Sequence, residues 1–164
     1  MSDVDYEQEL TRYLAEAHAM EQQSLQTLQA AVKVAGDPQL EALYRGHIKE
    51  TEEHLRLLEE RLEAHGGSRS LVKDLAGRLT AVGLGAGVVA QDDTPAKLVA
   101  VAFGFENFEI ASYELLRRVA ERAGDEDTVK TVDTILVNER QAAEKLAASY
   151  DLALERALKG SVKS

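Results

Sequence analysis

The 164-residue sequence contains no cysteine, no tryptophan and only two prolines. Without cysteine there can be no disulfide, no thiolate metal site and no cysteine nucleophile. Basic residues are also scarce, since 19 Lys and Arg stand against 29 Asp and Glu, for a formal net charge of −10. Nucleic-acid binding needs a basic surface, and an anionic membrane repels an acidic one. We therefore expect neither nucleic acid nor membrane among the partners of this chain.

Long apolar runs are missing as well. The longest weakly polar run, Ala81 to Ala90, is far shorter than the ~20 residues that span a bilayer. The first ten residues, MSDVDYEQEL, lack the basic and apolar regions of a signal peptide. A hydrophobic content of 45% is nevertheless enough to bury a core. These features predict one soluble domain over residues 1–164, with a cytoplasmic location.

Helix-forming residues dominate what is present. Ala, Leu and Glu together account for about two-fifths of the chain, and no stretch alternates as a strand would. Pro38 and Pro95 each follow a capping residue and predict helix starts, whereas Gly66 and Gly124 predict helix ends. We predict four long helices, near 4–35, 38–65, 95–123 and 126–158.

A connector over residues 66–94 joins the second and third predicted helices, while the other two connections are short. This pattern is typical of an all-α, ferritin-like four-helix bundle with a long crossover. Leu71 to Leu79 predicts a short helical segment within the crossover. The glycine run at 83–87 is similar to a dinucleotide-binding fingerprint, but no strand precedes it. We interpret those glycines as allowing close packing on the bundle.

Each long helix carries an apolar stripe at three- and four-residue spacing, and glutamate interrupts every stripe near its middle. We counted from the turns at residues 37 and 124, taking both to lie at one end of the bundle. At about 1.5 Å per residue, the interrupting carboxylates then lie roughly 20–27 Å from that end. The residues concerned are Glu21, Glu50, Glu106 with Glu109, and Glu139.

Carboxylates from four helices in one dry layer would repel each other. Lys and Arg are absent from the stripes at this depth, so internal ion pairs are not expected. A single glutamate in such a stripe is more often a surface residue, but four at matched depth favour a metal site. Two hard divalent cations with carboxylate and neutral imidazole ligands would satisfy the layer, as in di-iron and di-manganese proteins.

Histidines of the second helix could complete this layer. His47 precedes Glu50 by three residues and His54 follows it by four, so either could be a ligand or an ordinary core histidine. At least one of Glu106 and Glu109 should be a ligand. The candidate metal ligands are Glu21, Glu50, His54, Glu106, Glu109, Glu139 and His47.

Other histidines and two tyrosines have ordinary structural interpretations. His18 is expected at the boundary or surface, and His65 in solvent at a helix end. Tyr113 and Tyr150 are expected to be core aromatics whose hydroxyls need partners.

Four stretches of the sequence resemble the YciE/YciF-type ferritin-like stress proteins: 19–24, 47–51 with 55–59 following, 105–113 and 138–146. The resemblance extends over about residues 8–155. It implies a ferritin-like bundle that is often dimeric, is associated with stress responses and has poorly defined biochemistry. The family's inward glutamates would correspond to Glu21, Glu50, Glu106, Glu109 and Glu139, and its second-helix histidine to His47.

The sequence departs from the standard ferritin-like pattern, in which Glu-x-x-His supplies ligands. Glu50 is followed by Glu53 at the third position and His54 at the fourth, and Glu139 is followed by Ala142. The ligand set is therefore richer in oxygen than that of a symmetrical di-iron enzyme. Iron, manganese and a structural cation all remain open.

Two functional hypotheses follow. The first is a di-metal protein that binds two Fe or Mn ions per bundle and oxidises Fe(II) with O2 or peroxide in stress protection. The second is a non-enzymatic helical stress or interaction protein whose acidic layer is protonated, hydrated or filled by an adventitious ion. Metal-dependent stability would separate them. The resemblance also implies a homodimer, and apolar residues beside each stripe could equally well close a bundle or a dimer interface.

Overall fold

A computed structural model describes residues 4–67 and 94–161, without the side chains of the last two. All regular structure within these ranges is helical, which confirms the all-α fold class. The helices are α1 Tyr6–Val34, α2 Pro38–Ala64, α3 Thr94–Ala123, α4 Glu126–Ala148 and α5 Tyr150–Ser161. Most of the crossover, including the predicted segment at 71–79 and the glycine run at 83–87, lies outside the described residues. Within the described ranges, no helix is both long and apolar enough to cross a membrane.

Capping residues determine where the helices begin and end. The carboxylates of Asp37 and Asp125 accept hydrogen bonds from backbone N–H groups in the first turns of α2 and α4. Gly36 and Gly124 precede them with φ angles of 63° and 75°. A residue with a Cβ would be strained in this left-handed conformation, which suits glycine at a helix end.

The last predicted helix, 126–158, is divided at Ser149. The hydroxyl of Ser149 donates to the carbonyl of Leu146 at 2.8 Å, and its backbone N–H bonds to the same oxygen. Both bonds reach three residues back, and they coincide with the break between α4 and α5. The Ser112 hydroxyl, which bonds a carbonyl four residues back, lies within the unbroken α3. Tyr150 consequently lies off the apolar stripe, is 39% exposed and packs edge-on against Phe103. The expectation that Tyr150 is a core aromatic was therefore wrong.

Helices α1 to α4 form a four-helix bundle in which α1 and α4 each contact both α2 and α3. Arg61, in the last turn of α2, donates to Asp125 at the start of α4. The α3–α4 turn therefore lies at the opposite end from the α1–α2 turn, so placing both turns at one end was wrong. The polar residues nevertheless lie in one layer, because each is near the middle of its helix and so at a similar distance from both ends.

The core consists of two apolar clusters separated by a polar layer. The cluster nearer the α3–α4 turn includes Leu10, Leu14, Leu58, Leu116 and Val132. The cluster nearer the α1–α2 turn includes Leu28, Leu40, Tyr44, Val99 and Leu146. Burying a large aliphatic side chain contributes about 1.5–3 kcal/mol. The two clusters thus offset the cost of the polar layer and hold the four helices around it.

Candidate metal centre

Six of the seven candidate ligands are buried in the polar layer. His47, the most accessible of them, is 5% exposed. Every helix of the bundle contributes, because the polar residues occupy inward positions at three-, four- or seven-residue spacing. The contributions are Glu21 from α1, His47 and His54 from α2, Glu106 and Glu109 from α3, and Glu139 from α4.

Within the described residues, these side chains form two groups whose potential ligand atoms lie within 4.8 Å of one another. The first group is His47, Glu106, Glu109 and Glu139, and the second is Glu21, His54 and Glu139. Glu139 belongs to both groups. The two groups, each of which could hold a cation, therefore share one carboxylate.

His47 presents its Nε2 atom to the layer. Nε2 lies 3.0 Å from Glu106 Oε1 and 3.8 Å from Glu139 Oε2. Its other ring nitrogen, Nδ1, lies 3.0 Å from Glu50 Oε2. The imidazole therefore stands between Glu50 on one side and the buried carboxylates on the other.

His54 presents the opposite nitrogen to the layer. Nδ1 lies 3.2 Å from Glu21 Oε1 and 2.9 Å from Glu139 Oε1. Nε2 lies 3.2 Å from the side-chain amide of Asn138. The two histidines are seven residues apart on one face of α2, so their rings approach the layer from opposite sides.

Glu50 belongs to neither of the two groups formed by the described residues. Its side chain is 30% exposed, and Oε1 lies 3.5 Å from Lys145 Nζ. The inward position on this turn of α2 is taken by Thr51, which is fully buried. Glu50 therefore lies at the edge of the inward face and reaches the layer only through His47.

Two side chains at the site were not identified from the sequence. Tyr113 is fully buried, and its hydroxyl donates to Glu21 Oε1 at 2.5 Å. Its position one turn after Glu109 was an available signal, although it was interpreted only as a core aromatic. Asn138 contacts His54 from a position beside the apolar stripe, where the sequence pattern carries no signal.

His18 and His65 lie outside both groups. His18, expected at the boundary or surface, lies at a helix interface, and His65, expected in solvent, is only partly exposed. His18 is buried, and its Nε2 lies 3.1 Å from Glu59 Oε1 across the α1–α2 interface. His65 is largely covered, with Nε2 2.6 Å from Asp125 Oδ2. Both histidines therefore contact an acidic residue of a neighbouring helix or helix cap, and neither ring is exposed to solvent on all sides.

Protonation neutralises much of the layer when no cation is bound. Burial raises the pKa of Glu106 to about 8 and that of Glu109 well above its ordinary value. Burial alone would lower the pKa of His47, but Glu106 and Glu50 outweigh it and raise that pKa to about 10. Glu139 and Glu21 similarly raise the pKa of His54 to about 9, against the effect of burial.

Several buried polar atoms nevertheless stay unpaired. Considering only the described residues, Glu21 Oε2 and both carboxylate oxygens of Glu109 make no hydrogen bond of good geometry. The same holds for His47 Nε2 and the Glu139 oxygens, whose contacts are the ion-pair distances to facing groups given above. Buried polar atoms in folded proteins nearly always have a hydrogen-bond partner, so a cluster of such atoms without one needs an explanation. Four carboxylates and two imidazoles are suitable ligands for Fe or Mn, and the residues present fit such a group.

Four antiparallel helices around a buried Glu and His layer define a ferritin-like helical bundle, and solved structures support this class. A protein from Xanthomonas campestris pv. campestris is 24% identical over 95% of this chain and 97% of its own, with a TM-score of 0.77. A ferritin-like di-iron-carboxylate protein from Bacillus anthracis is 18% identical over 90% and 99%, with a TM-score of 0.72. The Escherichia coli stress protein YciF is 22% identical over 97% and 99%, with a TM-score of 0.70.

Residues 5–158 match the family described as a domain of unknown function, DUF892. The match covers nearly the whole chain, and the protein belongs to this family. Together with the likeness to YciF, it confirms the resemblance to YciE/YciF-type proteins drawn from the sequence.

Proposed function

We propose that this protein is a di-metal carboxylate protein that holds two Fe or Mn ions in the middle of its bundle. The observation that carries the proposal is the pair of buried ligand groups joined by Glu139, with unpaired ligand atoms in both. One ion would be held by His47, Glu106, Glu109 and Glu139, and the other by Glu21, His54 and Glu139.

Charge balance supports two divalent cations. The layer holds four carboxylates and two histidines, so with neutral imidazoles its charge of −4 equals the charge of two divalent ions in size. A buried layer is stable only when its charges are compensated. A single divalent ion would leave two carboxylates to be neutralised by protons.

When bound as Fe(II) or Mn(II), two such ions would each give up one electron on oxidation to the trivalent state, and the two electrons with two protons would reduce peroxide to water or O2 to peroxide. The chain's own residues prepare the site for this. The apolar clusters on both sides exclude water, and the Tyr113 hydroxyl holds Glu21 through one oxygen while leaving the other free. We propose protection against oxidative stress as the role, since YciF is described as a stress protein.

Glu50 and Asn138 would orient the two imidazoles. For Nε2 of His47 to bind a cation, the proton must be on Nδ1, and Glu50 Oε2 accepts a hydrogen bond from that position. His54 would bind through Nδ1, which puts its proton on Nε2 beside Asn138. Turning the Asn138 amide so that its oxygen faces Nε2 would satisfy that proton. We therefore assign Glu50 as a positioning residue, although the sequence suggested a ligand.

Metal content after anaerobic loading tests the proposal. Chelator-treated protein is incubated with Fe(II) or Mn(II), desalted and measured by plasma mass spectrometry. We expect about two ions per chain in the wild type and a clear loss in Glu139→Gln. Glu144→Gln, on the exposed face of the same helix, should retain the wild-type content. Metal content well below stoichiometric in the wild type would overturn the proposal.

The raised pKa of Glu106, about 8, favours one alternative. A layer that protons can neutralise is compatible with a non-enzymatic structural or interaction protein. The melting temperature distinguishes the metal-binding protein from this alternative, because a metal ion that binds only the folded state raises the melting temperature. An unchanged melting temperature with chelator and with added metal would favour the alternative.

A further inference from the structure

The candidate ligands are almost completely buried, so a cation needs a path to them. A cavity of about 220 Å³ opens between α2 and α4 and has His47, the most accessible candidate ligand, in its lining. We call this cavity the α2–α4 groove. Its polar lining consists of Tyr44, His47, Glu50 and Lys145. A second cavity, of about 290 Å³ between α1 and α3, includes none of the six buried candidate ligands in its lining.

Small side chains create the α2–α4 groove. Ala42 and Gly46 line it from α2, and Ala142 lines it from α4. A Cβ atom built at Gly46 would meet no heavy atom within 4 Å among the described neighbours. The position therefore has room for a Cβ, and because Gly46 lines the groove, a long side chain there would narrow its opening.

Polar groups connect the groove to the metal centre. Glu50 Oε1 lies 3.5 Å from Lys145 Nζ, and Glu50 Oε2 lies 3.0 Å from His47 Nδ1. His47 Nε2 in turn lies 3.0 Å from Glu106 Oε1. Tyr44 is 1% exposed, and within the described residues its hydroxyl has no hydrogen-bond partner.

We propose that the α2–α4 groove is the route by which divalent cations reach the buried ligands, with the Glu50 carboxylate as their first binding point. This inference rests on the proposed metal function. Lys145 forms an ion pair with Glu50 in the absence of a bound cation. Because this pair is partly exposed it is weak, and an incoming divalent cation could displace the lysine from the carboxylate. The Glu50 carboxylate, which lies between Lys145 and His47, is the kind of hard oxygen ligand that divalent cations prefer.

Stopped-flow uptake of Co(II) by the metal-free full-length chain tests the route, since the visible absorption of Co(II) reports its coordination. Gly46→Met should slow uptake severalfold and leave the final number of bound ions unchanged. The matched control is Gly104→Met, because Gly104 is also an exposed helical glycine at which an added Cβ would meet no described heavy atom within 4 Å. Wild-type uptake rates in Gly46→Met would overturn the route while leaving the metal function intact.

Lys145→Met provides a second, independent variant because Lys145 contacts none of the six buried candidate ligands. Removing the cation that competes for Glu50 should speed Co(II) uptake, whereas Lys130→Met, exposed elsewhere on α4, should not. An unchanged or slower rate in Lys145→Met would contradict the role given to Glu50. Failure of the wild type to bind Co(II) would overturn the metal function and the route together.

Discussion

His47 Nδ1 lies 3.0 Å from Glu50 Oε2, while the opposite ring nitrogen of His47 faces Glu106 and Glu139. In the proposed metal centre, this relationship would make His47 the ligand and Glu50 the residue that supports it. Carboxylates hydrogen-bonded to metal-binding histidines fix the ring orientation and increase its basicity. The structure therefore separates two residues of α2 that the sequence pattern treated alike.

Glu50→Gln should weaken metal binding without abolishing either site. The amide no longer supports the imidazole as a carboxylate does, and loss of such a partner typically costs 10–100-fold in affinity, so we expect about that decrease. Competition titrations with a chromophoric chelator measure it, and Glu52→Gln on the exposed face of α2 is the control. Complete loss of one bound ion would instead identify Glu50 as a ligand.

The two histidines should bind through different nitrogens. In protein loaded with diamagnetic Zn(II), His47 should be coordinated through Nε2 and protonated on Nδ1, and His54 should show the reverse. Long-range ¹H–¹⁵N correlation spectra report both assignments. Coordination of both rings through the same nitrogen would contradict the geometry.

Metal binding at pH 7 should release protons. The pKa values of His47, His54 and Glu106 are raised to about 10, 9 and 8, so all three groups are mainly protonated before binding. A cation displaces these protons, and its apparent affinity should therefore rise as the pH is increased from about 6 to 8. Calorimetry in two buffers of different ionisation enthalpy measures the proton count. Binding without proton release would show that the groups are already deprotonated.

Asp125→Ala should destabilise the fold at the end far from the α1–α2 turn. Asp125 caps α4 and accepts hydrogen bonds from Arg61, and removing both interactions should cost about 2–4 kcal/mol. Urea denaturation at pH 7 measures this cost. Asp127→Ala, an exposed change in the same turn, should alter stability by less than about 0.5 kcal/mol. Equal effects of the two substitutions would show that the buried contacts of Asp125 contribute little.

The Asp125 contribution should also depend on pH. Burial would raise the pKa of Asp125, but hydrogen bonds from Thr128 and Arg61 outweigh it and hold the pKa well below the ordinary 3.8. Because the pKa is depressed in the folded state, the stabilisation is present above about pH 4 and is lost as the pH falls further. The difference between wild type and Asp125→Ala should therefore shrink in acid. A constant difference down to pH 2 would contradict this assignment.

The fold was predictable because its signals are local. Asp37 with Pro38 and Gly124 with Asp125 act through their own turns, so short-range rules locate the helix ends. At Ser149 the hydroxyl and the backbone N–H both bond a carbonyl three residues back, whereas the Ser112 hydroxyl bonds four residues back without interrupting its helix. Sequence periodicity carries no information on that choice.

The candidate site was predictable only in its broad composition. Polar residues in the middle of apolar stripes identify the layer, but neighbouring positions on a helix differ by only about 100° in direction. Periodicity therefore could not show that Thr51 faces the bundle interior on this turn of α2 while Glu50 lies at the edge of that face. Counting residues from the turns likewise gives the same depth from either end when the site lies at mid-helix.

Anomalous diffraction from crystals loaded with Fe(II) or Mn(II) would locate the ions of the paired centre. We expect two peaks about 3.5–4 Å apart in the middle of the bundle, both in contact with Glu139. One peak should lie beside His47 and the other beside His54. A single peak, or peaks that do not contact Glu139, would contradict the paired centre.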